Sequence, residues 1–304
     1  MKAAATFAAL AALTAGLLLP SAARAQSYGL YANVNTIANQ TFPGPAQSVQ
    51  NANNLSFTDQ PQAAALNALN EVASVSNGGT AEAKFLGSIG LLKTYASAGF
   101  PYCCTVGGVT VTTGYTYATA QGSFLDSVTV SGAGLAVGTP VSYRVDFSIN
   151  GTLSSPTFEL GGHLGVDGLA QVRLRDINNN GEEVVLNWDA KLQAGGVYSL
   201  TLPTVVGHTL QISGMLYALA TVDSSALLAR FAESDFYHSA GYTLVPSVAG
   251  LNTIGASGHN FLAPVPEPST VWLMASGVLL LAFRRGVRPP HSSPTDAGGS
   301  VAHT

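Results

Sequence analysis

Val141-Ser142-Tyr143-Arg144-Val145-Asp146-Phe147-Ser148-Ile149-Asn150 alternates apolar and polar side chains without a break, and Gly151 follows. A period of two puts Val141, Tyr143, Val145, Phe147 and Ile149 on one face of an extended chain and the polar residues on the other, the signature of a half-buried strand. Residues 209–222 repeat the pattern, with Leu210, Ile212, Leu216, Ala218, Ala220 and Val222 on one side. Similar runs occur near residues 109–119, 124–131, 170–175, 183–188, 197–202 and 237–245. Short strands at regular spacing, with Gly, Pro or Asn between them, predict an all-β fold. The architecture expected is an antiparallel β-sandwich, jelly-roll-like, over residues 91–260. A β-helix is the rival, but no sustained fixed-length repeat supports it.

Ahead of this domain the chain reads differently. Residues 26–62 are rich in Asn, Gln and Ala and contain Pro43 and Pro45, a composition of loops and short edge strands. Residues 63–73 carry Ala-Leu-Asn repeats that suggest a helical turn or two, weakened by Asn67 and Asn70. Residues 26–90 are therefore expected to form a looser Asn/Ala-rich section packed on the sandwich.

Both ends of the chain carry membrane-directed signals. Lys2, the apolar run 3–19, Pro20 and then Ala23-Arg24-Ala25 make a basic, apolar and small-residue sequence in the order of a signal peptide. That assigns residues 1–25 to the leader, with signal peptidase cutting before Gln26. Near the other end stand Val265-Pro266-Glu267-Pro268-Ser269, an apolar run over residues 270–283, and Arg284-Arg285. Two prolines around Glu267 fix φ and remove backbone donors, so neither helix nor sheet can absorb that stretch. The uncharged run from Val271 to Phe283 reaches about 20 Å as a helix, short of a hydrocarbon core of about 30 Å. A single transmembrane helix is expected, spanning with the help of snorkelling or local thinning. Its arginines keep that end inside.

These residues resemble the PEP-CTERM sorting tail of Gram-negative bacterial proteins, here over residues 261–285. The resemblance implies recognition by a membrane enzyme, the exosortase. It also implies an intermediate held at the inner membrane, followed by release to the cell surface or the exopolysaccharide matrix of a biofilm. By the same resemblance Pro266, Glu267 and Pro268, flanked by Val265 and Ser269, form the recognition segment, and Arg284 and Arg285 stop transfer. The family tail normally ends a few residues after its arginines. Here residues 286–304 follow, a Pro-, Ser-, Gly- and His-containing stretch that reads as a disordered tail. Residues 123–260 also resemble the β-rich body often found ahead of such tails, on Thr209-Leu210-Gln211-Ile212-Ser213-Gly214, Asp235-Phe236-Tyr237-His238-Ser239-Ala240 and Ala256-Ser257-Gly258-His259.

Composition narrows the partners. Between Gln26 and Pro268 there are seven basic side chains against fifteen acidic ones, a net charge of −8. So few and scattered cations exclude nucleic acid and anionic lipid as partners of the body, while a surface of Ser, Thr, Asn, Gln and Gly suits hydrated sugar polymers. The mean hydropathy of +0.28 is inflated by the two membrane-directed segments. The two cysteines, Cys103 and Cys104, are adjacent. In an oxidising compartment they can close a vicinal disulfide, pair with another molecule, or stay free. A vicinal bridge is strained, because adjacent Cα atoms lie about 3.8 Å apart.

No catalytic constellation stands out, and the chain reads as a non-enzyme. Asp176-Ile177-Asn178-Asn179-Asn180-Gly181 matches the first half of a calcium loop, with Asp176, Asn178 and Asn180 as ligands. The twelfth position is Asn187 rather than Glu, and the flanks are strands, so Asn180-Gly181 reads more simply as a hairpin turn. Calcium is the one cofactor the sequence suggests. His163, His208, His238 and His259 lack zinc-ligand spacing. Gly255-Ala256-Ser257-Gly258-His259 approaches a nucleophile elbow, but His259 replaces the last Gly and no helix-forming run follows, which makes it a surface loop. A single Thr110-Val111-Thr112 makes no ice-binding array. Trp188, Tyr143, Tyr198, Tyr115 and Tyr117 can stack on sugar rings or fill a core.

Two readings follow. The first is an exported, non-catalytic surface or extracellular-matrix protein processed by exosortase. The alternative is a secreted carbohydrate-binding module, with or without calcium.

Overall fold

Fourteen strands occur among the described residues. In chain order they are β1 (Gly29–Phe42), β2 (Gln47–Thr58), β3 (Asn67–Ser74), β4 (Thr80–Ser88), β5 (Leu91–Phe100), β6 (Thr105–Val106), β7 (Val109–Thr110), β8 (Thr112–Thr129), β9 (Pro140–Ser154), β10 (His163–Asp176), β11 (Glu183–Asp189), β12 (Gly196–Val205), β13 (Thr209–Ala226) and β14 (Arg230–Pro246). The computed structural model describes residues 27–42, 45–76, 79–100, 105–106, 109–110, 112–155, 163–226 and 230–262. The leader with Ala23, Ala25 and Gln26, the Cys103-Cys104 pair, Val265 to Ser269, the apolar run expected to span the membrane, Arg284-Arg285 and residues 286–304 lie outside them. Among the described residues no helix is long and apolar enough to cross a membrane.

The strands build two six-stranded sheets, ordered β11-β10-β13-β8-β1-β2 and β12-β9-β14-β5-β4-β3, and β6 pairs with β7 alone. Every pairing is antiparallel. From β5 onward the chain keeps crossing between the sheets, so that β5-β14-β9-β12 faces β8-β13-β10-β11. The hairpins β1–β2 and β3–β4 then extend one sheet each, beyond β8 and β5 respectively.

The all-β, antiparallel expectation holds, but the N-terminal section is not loose packing on a finished sandwich. Strand β1 is hydrogen-bonded to β2 on one side and to β8 on the other over nearly its whole length. Leu30, Ala32, Val34, Thr36, Ala38 and Gln40 are buried on its inner side, while Tyr31, Asn33, Asn35, Ile37 and Asn39 alternate outward. An Asn-rich composition concealed a period-two pattern, and pairing to a long neighbour outweighs the low strand preference of Asn. The helical turns expected over residues 63–73 reduce to one 3-10 turn, Pro61–Ala63, before β3 begins at Asn67. Most of the two runs read separately near residues 109–119 and 124–131 falls in one continuous strand, β8, while Val109–Thr110 forms β7.

Gly122 does not break β8, because it serves packing. The sheet that holds β8 presents small residues inward, with Ala32, Ala118, Ala120, Ala218 and Ala220 all buried. The facing sheet supplies the rings. Phe85 sits over Gly122, Phe100 over Gly114, Phe236 over Gly168 and Tyr242 over Gly214, each where a Cβ would overlap the ring. Phe85, Phe147, Phe236 and Tyr143 are fully buried, and each such side chain contributes about 1.5–3 kcal/mol relative to exposure.

Gly122→Ala is therefore expected to destabilise the body by about 1–3 kcal/mol through overpacking. For a domain of this size that is a fall in Tm of about 2–4 °C per kcal/mol. Gly241→Ala, where an added Cβ meets nothing within 4 Å, should leave Tm unchanged in the same calorimetric scan.

Candidate functional site

The Asp176 turn joins β10 to β11. Asp176 is completely buried at the end of β10. Its Oδ1 accepts from the backbone N–H groups of Asn178 at 2.9 Å and Asn179 at 3.2 Å, and its Oδ2 accepts from Thr204 Oγ1 at 2.6 Å. His208 Nδ1 lies 2.7 Å from the same Oδ2. Burial pushes this carboxyl upward, but hydrogen bonds from Thr204, His208 and Asn178 outweigh it and hold the group below the usual carboxylate range. Asn178 Oδ1 accepts from the Thr209 N–H at 2.7 Å. Asn180 and Gly181 take positive φ values of 50° and 71°, which turns the chain back into β11. The three residues read as calcium ligands thus face protein donors at Asp176 and Asn178 and serve the hairpin at Asn180. Among the described residues no group of three His, Cys, Asp or Glu side chains could hold a metal ion.

The aromatic residues separate into two sets. Trp188 is buried, donates Nε1–H to the Ala194 carbonyl at 3.1 Å, and meets Phe236 edge-on at 5.6 Å. Tyr143 is fully buried with its hydroxyl on the Asn252 carbonyl at 2.8 Å, and burial pushes the phenol up to about 12. Tyr198 packs against the core and donates to the Ala194 carbonyl. Tyr115 and Tyr117 instead occupy the outer face of β8, their rings stacked at 6.1 Å and 22°. Tyr217 joins them from β13, its phenol raised by burial and further by Tyr117 and Asp167. Register places Asn33, Gln121, Tyr217 and Leu169 in one row across the sheet, and Asn35, Thr119, Leu219 and Asp167 in the next. Asn35 Oδ1 and Gln121 Nε2 are buried on this face without a protein partner. Composition could not single out Tyr217, Asn35 and Gln121, because only strand register brings them beside Tyr117.

A third cluster stands directly ahead of the sorting residues. After β14 the chain turns back as an irregular segment, with Asn252 N–H on the Ser131 carbonyl and Ala256 N–H on the Ser127 carbonyl, both at 2.8 Å. Asp126 on β8 points inward between Phe124 and Val128, and all three are buried. Its Oδ2 accepts from Ser257 Oγ at 2.5 Å, and its Oδ1 accepts from Ser127 N–H at 2.7 Å and Ser257 N–H at 3.3 Å. A side chain at Gly255 would run into this carboxylate. Burial raises the Asp126 carboxyl, and the Ser257 and Ser127 hydrogen bonds oppose the shift. His259 lies against Gly90, a positive-φ turn residue where a Cβ would strike the ring, and meets Phe261 edge-on at 4.6 Å. Phe261 is fully buried. The sequence Gly255 to His259 is therefore a latch on Asp126, and its serine hydroxyl is committed to a carboxylate. Ser127 Oγ also donates to the Ser27 carbonyl at 3.1 Å, so the first described residue and the latch meet at the same point of β8. A lone Asp at an inward position of an alternating strand was the one sequence signal for this site.

These clusters belong to an antiparallel two-sheet protein whose described body ends at Leu262. The chain carries a PEP-CTERM protein-sorting motif, since the family model of that description matches residues 264–286. No curated protein matches the chain. Among solved structures, that of TmCBM61 in complex with beta-1,4-galactotriose matches with 10% identity over 60% of this chain and 89% of the other, at a TM-score of 0.18. A likeness that weak carries no argument about fold or ligand.

Burial lowers the His259 pKa, and its buried Nε2 has no protein partner. The neutral ring therefore contributes stability that is complete above the unfolded value of about 6.5. That contribution is lost as pH falls through this value toward the lower folded one, because the unfolded chain then binds the proton more readily. Asp126, shifted upward, works in the opposite sense around the carboxylate range. An NMR titration should place His259 below 6.5, and the amide protection factors of residues 253–261, with the intrinsic pH dependence of exchange divided out, should fall between pH 7 and 5.

Proposed function

We propose that this chain is an exported protein of the cell surface or extracellular matrix, whose body acts without catalysis after exosortase removes the tail. The observation that carries the reading is the PEP-CTERM motif at residues 264–286, which begins two residues after Leu262. The leader pattern ending at Ala25 stands just ahead of the first described residue, Ser27, so a folded body lies between two membrane-directed segments. The wiring β5-β14-β9-β12 against β8-β13-β10-β11 supports reading that body as a jelly roll with two added hairpins. The two carboxylates completely buried among the described residues, Asp126 and Asp176, are engaged by protein donors, which supports a structural role for both.

Replacing Pro266 and Glu267 with alanine should leave export intact and trap an unprocessed, membrane-bound form, since the leader and apolar run are untouched. Mass spectrometry of the wild-type protein recovered from the cell surface should show a chain from Gln26 to near Pro268. Released, soluble protein that still ends at Thr304 would overturn the reading.

The outer face of β8 and β13 favours a second reading, a carbohydrate-binding body. Stacked Tyr115 and Tyr117 and neighbouring Tyr217 offer apolar ring faces beside Asn33, which shares the outer row of Tyr217, the chemistry a neutral glycan needs. On a glycan array, Tyr117→Ala should reduce binding about tenfold or more, taking stacking at about 1–3 kcal/mol. Binding lost on chelation but unaffected by that substitution would point to the Asp176 turn instead. Absence of binding to any polysaccharide would leave only the first reading.

A further inference from the structure

We propose that Asp126 is a positioning residue for tail processing: by holding Ser257 it pins the chain up to Leu262 and limits how often the sorting segment is free to enter an enzyme's cleft. The inference rests on the reading of the tail as a processed signal, and it concerns what the body does to that signal.

The chain has little slack where it leaves the body. Phe261 is fully buried, its N–H donates to the Thr253 carbonyl at 3.1 Å, and its own carbonyl accepts from Leu244 N–H at 3.0 Å. Leu262 N–H is bound to Asn260 Oδ1 at 3.1 Å. Only Ala263, Pro264 and Val265 separate Leu262 from Pro266, and such a tether reaches about 14 Å at full extension. An enzyme that binds an extended segment needs residues clear on both sides of the bond it cuts. With the latch closed, the N-terminal side is occupied by the body.

The segment can open without the sandwich opening. Residues 247–262 lie outside every strand, and among the described residues only the isolated bridges Gly132–Leu251 and Ile254–Asn260 give them ladder-like pairing. Peeling them back frees the chain as far as the end of β14 at Pro246. Local openings of this kind cost less than global unfolding. Cleavage of a transiently opened state follows its population when opening and closing are fast.

Asp126 helps set this population, beside the buried Phe261 and the backbone bonds of the segment. It occupies an inward position between Phe124 and Val128, where a carboxylate serves core packing worse than an apolar side chain. Its partners are the adjacent Ser127 N–H and the hydroxyl and N–H of Ser257, so its distant hydrogen bonds all go to the latch. Gly255 and Gly90 remove side chains where the carboxylate and His259 need room. These contacts bring β8, the β4–β5 turn and the end of the body together. The closed latch therefore forms only on a completed fold.

The test follows processing of the full-length chain in its exporting host by pulse-chase and mass spectrometry. The variants are Ser257→Ala, Asp126→Asn, and a short flexible Gly-Ser linker inserted between Leu262 and Ala263. The linker supplies free chain and leaves the latch intact. Ser257→Ala is expected to quicken processing about tenfold, the factor carried by one charge-assisted hydrogen bond, and the linker should quicken it at least as much by supplying free chain. The two changes combined should add little more. Amide exchange should quicken in residues 253–261 of Ser257→Ala and stay slow in β13, which a merely structural role for Asp126 would not link to processing. Wild-type processing rates in Ser257→Ala with an opened segment, or in the linker variant, would overturn the positioning role even if Asp126→Asn fails to fold. Retention of Thr304 in every variant would overturn the sorting reading itself and this inference with it.

Discussion

Large rings on one sheet seated over glycines on the other set the geometry of the whole body. Phe85, Phe100, Phe236 and Tyr242 come from one layer, and Gly122, Gly114, Gly168 and Gly214 receive them on the facing layer. Close-packed interiors tolerate few voids and little overlap, so each ring locks its strand against the strand that carries its glycine. Alanines and glycines of β8 and β13, which run 18 residues each, leave room for these rings between inward Phe124, Leu210, Ile212 and Leu216. The outer faces are then free to differ: tyrosines and amides on one sheet, and Arg144, Asp146, Lys84, Glu82, Tyr95 and Glu233 on the other.

Two buried carboxylates organise what the rings do not reach. Asp126 stands opposite Ile212 on β13, and Asp176 opposite Leu210, so both sit at the same end of one sheet. Each exchanges desolvation for hydrogen bonds, Asp176 from its own turn and from Thr204 of β12, Asp126 from Ser257 in the irregular segment after β14. A buried charge is tolerated only when it is well partnered. Loops that could otherwise fray are thereby tied to the sheet at defined points. Ser27 and Ala256, from opposite ends of the described body, both bond to Ser127.

The correspondence between sequence and structure is uneven, and for physical reasons. The strands from β9 to β14 were legible because alternation of strongly apolar with polar residues is a property of adjacent residues. Strand β1 has the same alternation written in Ala, Val and Thr against Asn, and its meaning emerges only when β8 is laid beside it. Gly122 lies between two runs that read as separate strands, and it is the floor under Phe85. Gly255 to His259 reads as a surface loop, and the partners of Ser257 and His259 are a carboxylate and a glycine more than a hundred residues away.

Neighbouring residues alone establish that the chain is built of strands, that an acidic and sparsely basic body lies between two apolar runs, and that a PEP-CTERM sorting motif follows it. These are properties of neighbouring residues: period, charge, proline placement and uncharged length. Only the tertiary structure decided which strands pair, that the Asn-rich hairpins complete the sheets, which tyrosines face outward together, and that Asp126 holds the segment before the tail. A period of two assigns each side chain to a face but says nothing about the neighbouring strand. Contacts such as Phe85 on Gly122 or Ser257 on Asp126 exist only once distant registers are set.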